Sequence, residues 1–253
     1  MTIILLVEYD GTNYAGWQTQ QNSNTVQEKL NIAIRSILHN ENIKTVAAGR
    51  TDAGVHAGGQ VVHFVCKQFP VKENKIPFAI NTFLPNDIRV KKAIITESSF
   101  HARFDAVARE YIYQLSTCNS VFNRFYSWSV PYKIDENLLL ESANVFIGKH
   151  DFTTFSKLNK NINNYICNIE ICKWLITNKN NFKLIIKADR FVYGMVRALV
   201  GAMLEVSRNK RTIEELSFAL ANRDRKYIAP LAAAHGLILN KIYYQNIDFD
   251  AIL

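Results

Sequence analysis

Residues 49–57 read Gly49-Arg50-Thr51-Asp52-Ala53-Gly54-Val55-His56-Ala57. A guanidinium and a carboxylate stand two positions apart there, in a short polar segment that opens on a glycine and carries another after Asp52. Apolar, strand-like runs flank it: Thr45-Val46-Ala47-Ala48 before, and Gln60-Val61-Val62-His63-Phe64-Val65 after. Glycine lets backbone reach positive φ and approach a ligand closely. A carboxylate on such a turn, carried by rigid strands, is well placed for chemistry. In an extended turn Arg50 and Asp52 share a side. The same triplet also fits a surface turn with a solvated ion pair of little energetic consequence. His56 either contacts a ligand or completes the turn.

Charge points to a class of partner. Thirty Lys+Arg against 22 Asp+Glu give a net charge of +8, and a basic surface draws polyanions. Several cations sit beside aromatics: Arg103-Phe104, Arg109 near Tyr111, Arg124-Phe125-Tyr126 and Arg190-Phe191. Cations that meet phosphates, next to rings that stack on bases, suit unpaired RNA. Core aromatics flanked by solvated charges give the same pattern.

Other classes recede. Cys66, Cys118, Cys167 and Cys172 show no CxxC spacing, so they read as reduced and buried, and the scattered histidines form no metal-ligand set. No apolar run is long enough to span a bilayer. Met1–Glu8 reads as a first strand rather than a signal peptide, and a cytoplasmic location is expected.

These residues must be positioned by strands and helices in alternation. Ile3 to Tyr9 reads as a strand, followed by turn chemistry at Asp10-Gly11-Thr12. Thr25-Val26-Gln27-Glu28 has the form of a capping box. Behind it Val26, Leu30, Ala33, Ile34, Ile37 and Leu38 make one helical face. A short helix is predicted from Ile76 to Phe83, then a strand from Ile88 to Thr96. In the second half the pattern predicts a strand from Glu110 to Thr117 and a helix from Asp135 to Ile147, stopped by Gly148. Two strands, Ile166 to Thr177 and Asn181 to Ala188, surround a turn. A helix follows from Val192 to Val206, with a second capping box at Thr212-Ile213-Glu214-Glu215, and a last strand from Leu237 to Tyr243. Hairpin-like pairs beside crossovers favour an antiparallel-rich α+β fold. Two similar lobes are expected, each a mainly antiparallel sheet flanked by helices, over residues 1–105 and 106–253.

Taken together, these residues resemble the tRNA pseudouridine synthase A family over nearly the whole chain. The resemblance runs through Glu8-Tyr9-Asp10-Gly11-Thr12-Asn13-Tyr14-Ala15-Gly16-Trp17-Gln18, Thr25-Val26-Gln27-Glu28-Lys29-Leu30 and the nonamer at 49–57. It continues through Leu84-Pro85-Asn86-Asp87-Ile88, Phe100-His101-Ala102-Arg103-Phe104-Asp105-Ala106, Arg109-Glu110-Tyr111-Ile112-Tyr113, His150-Asp151-Phe152-Thr153-Thr154-Phe155, Ala188-Asp189-Arg190-Phe191, Met195-Val196-Arg197 and His235-Gly236-Leu237. It implies isomerisation of uridine to pseudouridine in the anticodon stem and loop of tRNA, at tRNA uridines 38, 39 and 40. It also implies an active-site cleft between two lobes, a homodimer, base flipping, and neither metal nor organic cofactor.

The chemistry breaks the bond from ribose C1′ to uracil N1 and joins C5 to C1′. A carboxylate can attack sugar or base, or stabilise positive charge at C1′, and Asp52 is the candidate. By resemblance, Arg197 is the cation that keeps it ionised, and Tyr111 stacks on the uracil, with its hydroxyl a candidate acid or base. Arg50, His56, Arg103 and Arg109 are candidate substrate contacts. A structural arginine and a core-packed tyrosine remain the alternatives for Arg197 and Tyr111. One departure is Gly194, where relatives often carry histidine. The Asn- and Lys-rich stretch 159–164 reads as a loop over the RNA. A non-catalytic RNA-binding module is the rival reading, but it leaves the Arg50-Thr51-Asp52 turn without a purpose. A nucleoside hydrolase is less apt, because such enzymes use paired carboxylates.

Overall fold

The computed structural model describes residues 1–157, 164–227 and 230–249. The stretch 159–164 therefore lies, apart from Asn164, outside the described residues. In chain order the elements are β1 (Thr2–Tyr9), α1 (Val26–Leu38), β2 (Val46–Ala47), β3 (His56–Val65), α2 (Ile76–Asn81), β4 (Ile88–Thr96), β5 (Ala106–Ser116) and β6 (Trp128–Ser129). Then come α3 (Glu136–Ser142), β7 (Gly148–Asp151), β8 (Ile166–Asn178), β9 (Asn181–Ala188), α4 (Met195–Ser207), α5 (Ile213–Asn222) and β10 (Leu237–Tyr244). The fold is mixed α+β with mostly antiparallel pairing, as the alternation of periods predicts.

Two compact units make up the chain: Met1–Val107 together with the segment from Ile238 on, and Ala108–Leu237. In the first unit β1 pairs antiparallel with β3 on one side, Leu5 opposite Val62, and with β4 on the other, Leu5 opposite Ala93. β2 adds to β3. β10 joins β3 in parallel, Ile238 opposite His56, and the segment from Ile238 on groups with this unit, where the sequence led us to expect one block of 106–253. Ile3, Leu5, Val7, Val62 and Phe64 are buried, each worth roughly 1.5–3 kcal/mol over exposure.

α1 buries Val26, Leu30, Ala33 and Ile34 as its spacing predicts. Its expected capping box does not form. Thr25 is the N-cap residue but its side chain makes no cap bond, and its buried Oγ1 has no partner. The first helical N–H groups go elsewhere: Val26 N donates to Gly16 O at 3.3 Å and Gln27 N to Trp17 O at 3.0 Å. The segment before the helix thus supplies the acceptors a cap would.

In the second unit β9 pairs antiparallel with β5 on one side and with β8 on the other, and β7 pairs antiparallel with β8. Tyr111, Tyr113 and Leu115 of β5 lie opposite Ile186, Leu184 and Phe182 of β9, and all are buried. α3 is capped by Asp135, which accepts from Leu138 N, but it stays α-helical only to Ser142. There the Ser142 hydroxyl donates back to Leu139 O at 2.8 Å, and a 3₁₀ turn over Ala143–Phe146 finishes the run. α5 carries the complete Thr212–Glu215 capping box. α4 starts later than predicted, at Met195, with Gly194 as N-cap at φ +71. Eleven of its thirteen residues are buried, not one face alone. Part of the cover comes from the 230–233 segment, where Ala232 N donates to Arg197 O at 3.1 Å.

Candidate active site

Asp52 sits half-buried on the turn between β2 and β3, and that turn is tied down on several sides. Gly49 O accepts from Gln60 Nε2 at 2.9 Å. Thr51 O accepts from Trp17 N at 3.1 Å, Asp52 O from Val55 N at 3.1 Å, and Tyr14 O from Gly54 N at 3.3 Å. The buried Tyr9 hydroxyl meets Thr51 Oγ1 at 2.7 Å. Burial pushes the Tyr9 phenol up to about 12, the bond to Thr51 opposing in part, so it stays protonated and able to donate. Tyr14 OH in turn donates to Asp87 Oδ1 at 2.6 Å.

The Glu8–Gln18 stretch is thus the cradle of the Asp52 turn, and Gly11 shows how close the approach is. A Cβ at Gly11 would stand 2.1 Å from Val55 O, a distance no side chain tolerates. Gly11 N donates to His56 Nδ1 at 3.0 Å, and His56 is only 3% exposed. Asp10 Oδ1 also lies 3.0 Å from that nitrogen. One nitrogen cannot accept from Gly11 and donate to Asp10. Asp10 Oδ1 already accepts from the Thr12 N–H at 2.9 Å and hydroxyl at 2.5 Å. The Gly11 N–H and the Asp10 carboxylate both converge on this one nitrogen, which places the buried imidazole against the turn. Arg50, beside Asp52, is exposed. Arg103 is also exposed, on a separate loop of the same unit, its guanidinium 5.9 Å from the centroid of the Phe104 ring.

The other candidates lie in the second unit. Arg109 and Tyr111 alternate onto one side of β5. Arg109 Nη1 donates to Asp189 O at 2.9 Å. Tyr111 is 9% exposed, and its ring meets Phe191 edge to face at 5.2 Å, a contact that fixes the ring plane. The Asp189 carboxylate holds its own turn by accepting from Asn168 N at 2.8 Å and Arg190 N at 2.7 Å. Arg197, in the first turn of α4, donates from Nε to Ala232 O at 2.7 Å. With the return bond from Ala232 N, this fixes the direction of the guanidinium. Nearby Tyr113 donates to Ala233 O at 2.8 Å; burial raises its phenol strongly, with Arg197 opposing.

Asp52, Arg50, His56 and Arg103 thus belong to the first unit, and Tyr111, Arg109 and Arg197 to the second. Sequence reading did not single out the Tyr9–Thr51 latch, Phe191 or the Ala232 brace. Tyr9 and Phe191 lie inside motifs that carry the resemblance. Nothing local marks Ala232, whose part is played by its backbone alone. Among the described residues no helix is long and apolar enough to cross a membrane.

A family model described as tRNA pseudouridine synthase matches residues 5–105 and 143–245. A tRNA pseudouridine synthase A of Bacillus pumilus is 38% identical over 249 residues, 97% of this chain and all of the relative. One of Halalkalibacterium halodurans is 39% identical over 246 residues, 96% of this chain and 92% of the relative. Among solved structures, a chain of the H/ACA RNP bound to a substrate RNA containing 2'-deoxyuridine is similar only weakly. There the TM-score is 0.36 and the identity 11%, over 80% of this chain and 53% of that one.

Proposed function

This chain belongs to the tRNA pseudouridine synthase family, and from that premise we propose that it isomerises uridine to pseudouridine in tRNA with Asp52 as the reacting carboxylate. The C1′–N1 bond breaks, the freed base turns, C1′ bonds to C5, C5 loses its proton and N1 gains one. Atoms balance, and no cofactor enters. Asp52 attacks the sugar or base, or stabilises charge at C1′. Arg197 keeps that carboxylate ionised. Tyr111 stacks on the uracil, which brings its hydroxyl near the place where the C5 proton must leave, as acid or base. Arg50, Arg103 and Arg109 meet the RNA backbone, and His56 serves the turn first.

The finer reading is an anticodon stem-loop substrate, modified at uridines 38, 39 and 40 by a cytoplasmic homodimer. The target base is flipped out, at a cost of a few kcal/mol, which phosphate contacts of a chain with net charge +8 help to offset. The observation that carries the proposal is the family match along the chain, which includes the Asp52 turn and its cradle. A tRNA transcript carrying tritium at uridine C5 tests it. Isomerisation releases label to water and leaves pseudouridine. Tight binding without release supports an RNA-binding module instead, and free uracil a hydrolase.

A further inference from the structure

The loop over residues 100–105 carries a large apolar ring into solvent on an unusually well-tied backbone. Phe104 is 75% exposed, yet five successive backbone N–H groups around it are hydrogen-bonded. His101 N donates to Asp105 Oδ2 at 2.8 Å, and Ala102 N to His63 Nδ1 at 3.1 Å. Arg103 N and Phe104 N both donate to His101 Nδ1, each at 3.2 Å. Asp105 N donates to His101 O at 3.0 Å. The Ala102 carbonyl accepts from Tyr244 OH at 2.7 Å. Behind the ring, His101 stacks on Phe104 with centroids 4.2 Å apart and planes at 27°. His101 in turn packs on the buried His63, centroids 5.0 Å apart.

An exposed phenylalanine has no hydrogen bond to gain from water, and its burial elsewhere would stabilise the fold. Here the loop is built to hold it outward. The guanidinium of Arg103 stands 5.9 Å from its centroid. A flat, pre-oriented ring backed by an imidazole and flanked by a cation is the arrangement on which an unpaired base stacks while its phosphate meets the arginine. Fixing the ring before binding removes an ordering cost from association.

We propose that Phe104 is a stacking platform for an unpaired base of the RNA substrate, a positioning residue distinct from the candidate catalytic set, with Arg103 on the adjoining phosphate. This rests on the reading of tRNA as substrate. The platform is indifferent to base identity, since every base offers a π face, and it acts on affinity rather than on the chemical step.

The test is binding of a fluorescently labelled unmodified tRNA transcript to wild-type, Phe104→Ala and Phe104→Trp proteins, alongside single-turnover rates at saturating protein and the solution mass of each variant. Phe104→Ala is expected to weaken binding about tenfold, Phe104→Trp to stay within about twofold of wild type, and the saturated rate to change little. If Phe104→Ala perturbs the fold, Phe104→Leu keeps bulk without the ring and should show the same loss. Wild-type affinity in the alanine or leucine variant overturns the platform. So does a change of mass in Phe104→Ala, which would make this face an interface between protein copies. Failure of the wild-type protein to form pseudouridine counts against the tRNA reading itself, whereas a normal wild type with an indifferent Phe104 counts against the platform alone.

Discussion

Substituting Gly11 by alanine should disable the Asp52 turn without touching a reacting group. A Cβ at Gly11 would lie 2.1 Å from Val55 O, whereas ordinary contact begins near 3.4 Å. Backbone on one side or the other must move by about 1.3 Å, and backbone cannot swing aside like a side-chain tip. Val55 follows Asp52 by three residues and closes its turn through the Val55 N to Asp52 O bond. Gly11 also holds His56 through its N–H. A shift of this size at a reacting group costs on the order of 10²-fold in rate. Overpacking of this kind costs about 1–3 kcal/mol, a fall of roughly 2–12 °C in Tm at this chain length. Gly49→Ala is the matched control, because a Cβ there meets nothing within 4 Å. The assay is the single-turnover rate of pseudouridine formation at saturating protein, with thermal unfolding alongside. Gly11→Ala should be about 10²-fold slower and Gly49→Ala within about twofold of wild type. A Gly11→Ala protein with normal rate and Tm, or a Gly49→Ala protein equally impaired, would refute the reasoning.

Other outcomes follow from the same contacts. Tyr9→Phe removes the partner of a buried Thr51 hydroxyl and should cost about 1–3 kcal/mol in denaturant unfolding, with a slower rate at saturating tRNA; unchanged values would mean the latch is idle. His63 is held below the ordinary histidine value, chiefly by burial and then by His101. The unfolded chain therefore takes up the proton first, so stability is full above about pH 6.5 and falls as pH drops through it. His63→Gln should flatten that slope in Tm against pH, and an identical slope would assign the effect elsewhere. Affinity for tRNA should fall by more than about tenfold between 50 and 200 mM salt, and a flat response would remove phosphate contacts from the reading.

Much of this molecule was legible where local chemistry decides. The β8–β9 hairpin, the β4 strand and the Thr212 capping box all follow from alternation and capping residues. Thr25 and Thr212 show where such reading ends, since both open a Thr-x-x-Glu run and only Thr212 caps. At Thr25 the acceptors come from Gly16 and Trp17, a contact no local pattern encodes. The pairing of β10 with β3 is also invisible locally, because it joins strands about 180 residues apart in sequence. At the candidate site, residue types and their motifs could be named. The Tyr9–Thr51 latch, the Gly11–Val55 contact and the Ala232 brace on Arg197 depend on backbone meeting from distant segments.

Mapping pseudouridine by mass after selective chemical derivatisation, in tRNA treated with wild-type or Asp52→Asn protein, addresses the reacting carboxylate most directly. The substitution keeps shape and removes charge. Wild type should convert its target uridines, while Asp52→Asn, with Tm and tRNA affinity near wild type, should leave them unconverted even at saturating protein. Pseudouridine formed by Asp52→Asn at a rate close to wild type would contradict a reaction carried by that side chain.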